Sequence, residues 1–448
     1  MARKVLLNVF LATGISLAPI SLHGCENSDI SMGAMEMEAT QTATTQTATT
    51  RTTTQTSTMT IPGDCPIHVS CGSAEDLEPN GNTFILLQNG TVLATGANQY
   101  GQLGIGNDNF TEYWMPVHIS DVVQVYAGGM HTLFVHSDGT VSGAGANEYC
   151  ELAMGNNEID AYWVPVKIPG LENVRSVVAG PYYSSFFLLE NGSVLAAGYN
   201  NYGQLGIGDI SYNDDVCNAT IVNLTETITA VRAGTSFGLF LTESGDVYGS
   251  GYNDDGELGL GLEAVDEEFL SPARARIGLK NGTGKVVSIS AGYYASAMVT
   301  ETGEVYTSGW GSEAYLGLNT SDDILEPTLV PELNGVKSVA GDGYCSSLVS
   351  LPNDRSDFVF VNGYNKYGEL GINSTEQQET PIKLYLDNVE AVSTGSYHTA
   401  FLTKQGTVFV SGVGSAGEFG TGRKGGKGSP GSKVPTVAYE SLSGCSRT

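Results

Sequence analysis

The chain has 448 residues and a formal net charge of −28, with 20 Lys and Arg against 48 Asp and Glu. Nucleic-acid-binding proteins normally carry a basic patch, because neutralising phosphates supplies much of their affinity, so this composition disfavours a DNA or RNA partner. The 58 glycines favour a fold of many short strands and tight turns.

The N-terminal 24 residues have the pattern of a secretory signal. Two basic residues precede an apolar core from Val5 to Ile20, which is short for a membrane span. We therefore expect a signal peptide over 1–24 and a protein that is secreted or anchored at the cell surface or envelope. The segment Leu22–Cys25 also resembles a bacterial lipobox, which makes Cys25 a candidate for lipidation and for a membrane tether.

The next segment, 25–60, is polar and ends in a threonine-rich tract of low complexity. It lacks the apolar periodicity that is needed to bury a core, so it is predicted to be a disordered linker. The remaining residues, 61–448, are predicted to form one large domain.

That domain is built from a repeated glycine-rich stretch, which reads GYNNYGQLGIG in its third copy. Seven copies open at Gly96, Gly145, Gly198, Gly251, Gly309, Gly363 and Gly412. A repeat of about 50 residues is typical of propellers and arrays. The glycines fit tight backbone turns, the repeated Asn (Asn98 in the first copy) is expected to hold the turn, and the repeated Leu is expected to be buried between units.

Each unit holds four short apolar runs. In the third unit they are Ser176–Gly180, Phe186–Leu189, Ser193–Ala197 and Ala219–Leu224. The second and third runs are separated by Asn191-Gly192, a hairpin signal in which both residues are expected to have positive φ. Four strands in each of seven units predict an all-β fold, a seven-bladed β-propeller.

Two segments identify a family resemblance. Ala127–Thr132 reads AGGMHT and Thr394–Thr399 reads TGSYHT; together with the glycine-rich stretch they resemble the regulator of chromosome condensation repeat over roughly 61–440. The resemblance implies the seven-bladed propeller. It is less specific for function, since such relatives include a nucleotide exchange factor for a small nuclear GTPase, plant ultraviolet photoreceptors and a secreted bacterial inhibitor of β-lactamases.

Little in the sequence points to catalysis or to a cofactor. His131 and His398 occupy a repeat position that also accepts Tyr, Phe and Ala, which indicates packing rather than metal binding, and no zinc or nucleophile motif appears. We expect a monomeric, non-catalytic scaffold, without cofactor or metal, that binds an unidentified protein partner. The alternatives are an exchange factor or regulator of a small GTPase, if the chain is intracellular, and a carbohydrate-active hydrolase or lyase, which would need convergent carboxylates or a metal on one face.

The partner-binding rim is predicted in the loops that follow the first strand of each unit. Equivalent loops of a closed propeller project from one face, and Tyr and Met are favoured at protein contacts. The predicted rim residues are Met130, Tyr182, Tyr183, Tyr293, Tyr294, Tyr344 and Tyr397. The competing interpretation is that these side chains only pack over the central channel.

Six cysteines remain beyond Cys25, an even number that is consistent with an oxidising compartment. Cys445 paired with Cys65 or Cys71 would join the last blade to the first, and a local Cys65–Cys71 bridge is the rival. The other three, Cys150, Cys217 and Cys345, are expected to be free.

Overall fold

The computed structural model describes the greater part of the predicted propeller. The described residues are 65–73, 81–209, 215–261, 268–275, 284–312, 314–341, 347–353, 357–422, 432–441 and 445. The predicted signal peptide and linker, Cys25, Tyr344 and Cys345 lie outside the described residues. Those residues include no helix of the length and apolar character needed to cross a membrane.

Seven four-stranded sheets make up the described fold, and in each the strands are antiparallel and consecutive in sequence. The strands of the first three blades are β1 (Pro66–Ser73), β2 (Gly81–Leu87), β3 (Val92–Gly96), β4 (Thr111–Pro116), β5 (Val122–Ala127), β6 (His131–His136), β7 (Val141–Ala146), β8 (Ala161–Lys167), β9 (Val174–Ala179), β10 (Ser184–Leu189), β11 (Val194–Gly198) and β12 (Val216–Ile221). Those of the last four are β13 (Ile228–Ala233), β14 (Phe237–Thr242), β15 (Val247–Gly251), β16 (Phe269–Arg274), β17 (Val286–Ala291), β18 (Ala295–Thr300), β19 (Val305–Gly309), β20 (Ile324–Leu329), β21 (Val336–Ala340), β22 (Ser347–Pro352), β23 (Phe358–Gly363), β24 (Gln378–Tyr385), β25 (Val389–Thr394), β26 (His398–Thr403), β27 (Val408–Gly412) and β28 (Ser432–Tyr439).

The first strand of each blade is the innermost. β1, β5, β9, β13, β17, β21 and β25 contact one another in that order, and β25 contacts β1, so the ring is closed. The predicted seven-bladed, all-β propeller with four strands per blade is confirmed.

The hairpins between second and third strands differ from the predicted two-residue turns. In blade 1 the loop has three residues, since Gly90 N donates to Leu87 O and Leu87 N donates to Thr91 O, both at 2.9 Å. Only the glycine has positive φ, +82°. This is a turn followed by a left-handed bulge residue, and it recurs at Gly139, Gly192, Gly245, Gly303 and Gly406.

The core lies between neighbouring blades rather than within one sheet. Leu103 from the loop of blade 1 is fully buried in a cluster with Val125 and Phe134 of blade 2. The equivalent leucines are buried as well: Leu152, Leu205, Leu258, Leu316 and Leu370. Since burying one Leu contributes roughly 1.5–3 kcal/mol, the repeated leucine stabilises each blade interface, as predicted.

Candidate functional site

One face of the propeller carries two sets of loops. Antiparallel connectivity places the loops between first and second strands (first loops) at the same end of the blade as those between third and fourth strands (third loops). The glycine-rich stretches therefore lie beside the predicted rim.

A buried asparagine holds the glycine-rich third loop in shape in five of the seven blades, whereas blades 5 and 7 have glycine at this position. In blade 1, Asn98 Nδ2 donates to Asn107 O at 2.7 Å and to Asn109 O at 3.0 Å, while its Oδ1 accepts from Leu103 N at 2.8 Å. Asn147, Asn200 and Asn365 make corresponding bonds. The third loops are thus rigid supports for the side chains that they present.

Each third loop is also bonded to the next blade. Gly106 N donates to Trp163 O of the fourth strand of blade 2 at 2.8 Å. The same bond recurs from each blade to its successor, ending with Gly422 N of blade 7 and Glu112 O of blade 1 at 2.8 Å. A backbone hydrogen bond therefore joins all seven blades around the ring.

The contact between neighbouring blades includes a disulfide. Cys150 and Cys217 were predicted to be free, but they are bonded to each other with a Cα–Cα distance of 4.6 Å. Cys150 replaces a repeat glycine and has φ +66°. At the equivalent Gly101 an added Cβ would meet the backbone of Trp163 on the next blade. The Cβ of Cys150 accordingly faces the fourth strand of blade 3, where Cys217 lies.

A second disulfide lies where the ring closes. Cys65, before the first strand of blade 1, is bonded to Cys445, after the last strand of blade 7, with a Cα–Cα distance of 5.6 Å. Among the described cysteines Cys71 is the free one. Burial raises the pKa of its thiol to about 12, which makes it unreactive at neutral pH. The pairing of Cys65 with Cys71 is excluded by this geometry.

The predicted rim residues fall into two groups. Met130 and Tyr293 are buried, with 4% and 5% of their surface exposed. Tyr182, Tyr183 and Tyr294 are partly exposed. Tyr397 is also partly exposed, and the predicted Tyr344 lies outside the described part of the chain.

The exposed rim residues do not stand alone. Tyr183, Tyr294 and Tyr397 each pack on an aromatic ring from the third loop of the preceding blade, while Tyr182 packs on Tyr183 and Tyr199 of its own blade. Tyr183 lies 4.2 Å from Tyr149, measured between ring centroids, and Tyr294 lies 6.4 Å from Tyr252. Tyr397 lies 5.1 Å from Tyr367. Neighbouring blades thus build each pair jointly.

These contacts run on without interruption across blades 2 to 5. Neighbouring ring centroids are between 4.1 and 6.4 Å apart, and seven of the nine pairs lie within the usual range of favourable aromatic pairs. We call this set the tyrosine belt: Tyr149, Tyr182, Tyr183, Tyr199, Tyr202, Tyr252, Tyr293, Tyr294 and Trp310. A smaller cluster of Tyr364, Tyr367 and Tyr397 covers blades 6 and 7.

Sequence reasoning missed the third-loop members of the belt, although a signal was present. Tyr100, Tyr149, Tyr202 and Tyr367 all occupy the fifth position of the glycine-rich stretch. The second position holds Tyr199, Tyr252, Trp310 and Tyr364. Aromatic residues that recur at a fixed position of a turn motif indicate a shared surface rather than a turn requirement.

Carboxylates surround the belt. Burial, together with Glu148 and Asp215 nearby, raises the pKa of Tyr149 to about 12. Burial and a hydrogen bond to Asp254 raise the pKa of Tyr252 as well. The belt therefore presents neutral rings within an anionic field.

The repeat histidines are structural. His131 Nε2 lies 2.8 Å from Ser185 Oγ of the next blade, and His398 Nε2 lies 3.1 Å from Thr83 Oγ1 across the closing interface. Burial lowers the pKa of His131 to about 3 and that of His398 to about 4, so both are neutral at physiological pH. Within the described ranges no group of His, Cys, Asp and Glu has the geometry to hold a metal ion.

Comparison with known proteins gives a consistent result. A family model described as the RCC1-like domain matches residues 83–348, and models of the Regulator of chromosome condensation (RCC1) repeat match residues 356–402 and 389–418. The Ultraviolet-B receptor UVR8 of Arabidopsis thaliana is 28% identical over 76% of this chain and 77% of the receptor.

A human ligase and two solved structures extend the comparison. E3 ubiquitin-protein ligase HERC2 of Homo sapiens is 32% identical over 53% of this chain, but the match spans only 5% of HERC2, so the ligase activity in its name is not carried over. Human WBSCR16 has the same fold with a TM-score of 0.65 and 22% identity, covering 77% of this chain and 88% of that one. For Prp20p of Saccharomyces cerevisiae, described with its binding properties to Gsp1p and histones, the TM-score is 0.50 at 17% identity, over 86% and 88% of the two chains.

Proposed function

This chain belongs to the family of RCC1-like domains, and on that premise we propose that it is a non-catalytic scaffold that binds a protein partner through the tyrosine belt. The observation that carries the proposal is the unbroken series of ring contacts over one face of blades 2 to 5. Tyrosine supplies large contact area at low entropic cost and is enriched where binding energy concentrates. The net charge of −28 favours a protein over a nucleic acid, and the scaffold acts as a monomer.

The competing interpretation, that these rings only cover the channel, is opposed by their position. They extend into the third loops, which reach toward the outer strands. Side chains that served only to close the channel would need no such extension.

The experiment is differential capture from an extract of the source organism. The belt variant is the triple variant Tyr182→Ala, Tyr199→Ala and Tyr294→Ala, and it is expected to lose a partner that the unaltered protein retains. Tyr385→Ala is the matched control, since Tyr385 is 76% exposed on the fourth strand of blade 6 and lies outside the belt. A partner that the folded triple variant holds as well as the control does would refute the proposed binding face.

We further propose that the protein is secreted or held at the cell surface, with residues 1–24 removed on export. The mass of the mature N-terminus tests this proposal. A cleaved terminus or a lipid on Cys25 is the expected result and separates free secretion from a membrane tether. An intact Met1 would contradict export.

A regulator of a small GTPase is the second candidate, favoured by the shared fold with Prp20p and its described binding of Gsp1p. This candidate function requires an intracellular protein, so it is expected only if the mature protein keeps an intact Met1. The direct assay is release of a fluorescent guanine nucleotide from loaded GTPases of the source organism. Acceleration by the unaltered protein would move this candidate to first place.

A further inference from the structure

Aspartates border the tyrosine belt at its end on blades 4 and 5, where Asp254 and Asp255 act on Tyr252 and Asp323 acts on Asp255. We propose that this end binds an arginine or lysine side chain of a basic, extended segment of the protein partner. The inference rests on the proposed function and adds the chemistry of the partner. We call the residues involved the Tyr252 site: Tyr252, Tyr294, Trp310, Asp254, Asp255 and Asp323.

Aromatic faces form the first part of the site. Tyr252 lies 6.4 Å from Tyr294, whose ring lies 6.2 Å from Trp310, with the last two nearly perpendicular at 89°. Rings held in this way present π faces and edges in fixed directions. A cation over the face of Tyr or Trp is attracted by the ring quadrupole, and the molecule already makes one such contact, between Lys383 Nζ and Phe358 at 3.9 Å from the centroid.

Crowded carboxylates form the second part. Burial is the main cause that raises the pKa of the Asp255 carboxyl to about 6, and the charges of Asp323 and Asp254 add to it. Such repulsion is costly unless a cation relieves it. The ion pair found among the described residues, Arg274 with Asp246, involves none of the three.

Beneath them lies a buried acid with an unused acceptor. Glu257 is fully buried; one carboxylate oxygen accepts from Asp255 N at 3.1 Å, and the other, Oε1, has no hydrogen-bond partner among the described atoms. Burial and the charges of Asp255 and Asp254 raise the pKa of Glu257 well above its usual value, so this acid lies beside the site as a neutral group.

The shape of the site selects the kind of cation. In the described part of the chain, no group of acidic and histidine side chains converges closely enough to hold a metal ion. The carboxylates of the Tyr252 site therefore do not converge on one position but lie near the aromatic rings. A guanidinium or ammonium group on an apolar stem fits rings and carboxylates together. Lys366 is the one cation in the described parts of the third loops, so a basic segment meets little repulsion on this face.

The test is fluorescence anisotropy on the full-length protein with a labelled twelve-residue peptide of alternating arginine and serine. A glutamine–serine peptide of the same length is the neutral probe. We expect the arginine peptide to bind and the neutral peptide not to bind. The variant Tyr252→Leu is expected to weaken binding about tenfold, whereas Tyr252→Phe, which keeps the ring, retains it.

Two double variants with equal change in charge separate a site from general attraction. Asp254→Asn with Asp323→Asn is expected to weaken binding about tenfold. Glu243→Gln with Glu301→Gln, on the opposite face of the same two blades, is expected to leave it unchanged. Equal weakening by both pairs, or no binding of the arginine peptide, overturns the inference about the Tyr252 site but does not contradict the proposed binding face. The binding face itself is refuted if the belt variant retains the native partner.

Discussion

At the residue scale, the seventh position of the glycine-rich stretch has the clearest chemical consequence. It holds Gln102 and Gln204 in two blades and a buried glutamate in four others. In each case a side-chain oxygen accepts from the backbone N–H two residues earlier, as between Glu369 Oε2 and Tyr367 N at 3.0 Å. Glutamine and a protonated glutamate are interchangeable here, because both offer a neutral acceptor.

Burial raises the pKa of Glu151, Glu369 and Glu418 to about 8. The folded protein therefore keeps protons that the unfolded chain releases near its ordinary pKa of about 4.5. The contribution of these carboxyls to stability is complete below that value and is lost as pH rises toward 8.

We therefore expect Glu369→Gln to raise the free energy of unfolding at pH 8 by about 1 kcal/mol or more, and to change it little at pH 4. Denaturant unfolding at both pH values measures the difference. Glu376→Gln, at an exposed position nearby, is the control and should be neutral throughout. An equal effect of Glu369→Gln at both pH values would contradict the raised pKa.

At the element scale, the third loop is held by its asparagine more than by its glycines. Asn98 joins the two ends of its loop through three bonds and is completely buried. Replacing it with alanine leaves two carbonyl groups and one N–H without their partner.

We expect Asn98→Ala to cost about 2–4 kcal/mol, since the orphaned Leu103 N–H is buried and costs about 1–3 kcal/mol, and the two bonds to carbonyl groups are lost as well. Thermal unfolding followed by circular dichroism measures this loss. Asn89→Ala is the comparison, because the Asn89 side chain is exposed and accepts from Thr91 N in a hairpin; it should cost less than about 1 kcal/mol. Similar losses for both variants would show that the loop does not depend on Asn98.

The elements also show how far the sequence alone could lead. The number of blades and strands followed from the repeat, because inner strands alternate with turns at fixed spacing. The fourth strand of blade 3 was placed three residues late, at Ala219–Leu224 instead of Val216–Ile221. This outer strand has no buried residue, whereas Val222 just after it is 2% exposed, so the apolar run marked the blade interface and not the strand.

The candidate site was predictable only in part for a related reason. Tyr182 and Tyr294 follow a first strand and could be aligned from repeat to repeat. Tyr149, which packs on the neighbouring Tyr183, and Tyr252, which packs on Tyr294, lie 34 and 42 positions earlier in the chain than those partners. The rings meet only because neighbouring blades are side by side. Cys150 and Cys217 pair for the same reason, which no single repeat reveals.

At the scale of the whole molecule, the first and last blades need a link that the other interfaces receive from the continuous chain. The Cys65–Cys445 disulfide supplies it, assisted by Trp114 Nε1, which donates to Ala438 O at 2.9 Å.

We expect the double variant Cys65→Ala with Cys445→Ala to lower the free energy of unfolding by about 2–5 kcal/mol, because the bridge closes a very long loop. Hydrogen exchange should then quicken first in β1 and β25. Removing the Cys150–Cys217 bridge is the comparison and should affect exchange only near blades 2 and 3. Uniform quickening around the ring in the first variant would contradict a special role for the closing bridge.

The hydrogen bonds that join each third loop to the next blade have a topological consequence. The bond from Gly422 to Glu112 is the same as the bonds at the other six interfaces, so the architecture itself has no first blade. Its start is set by the covalent chain, whose described ends are held 5.6 Å apart at Cys65 and Cys445. A circular permutant, with those ends joined by a short linker and new termini in the connection between β4 and β5, should therefore assemble the same ring.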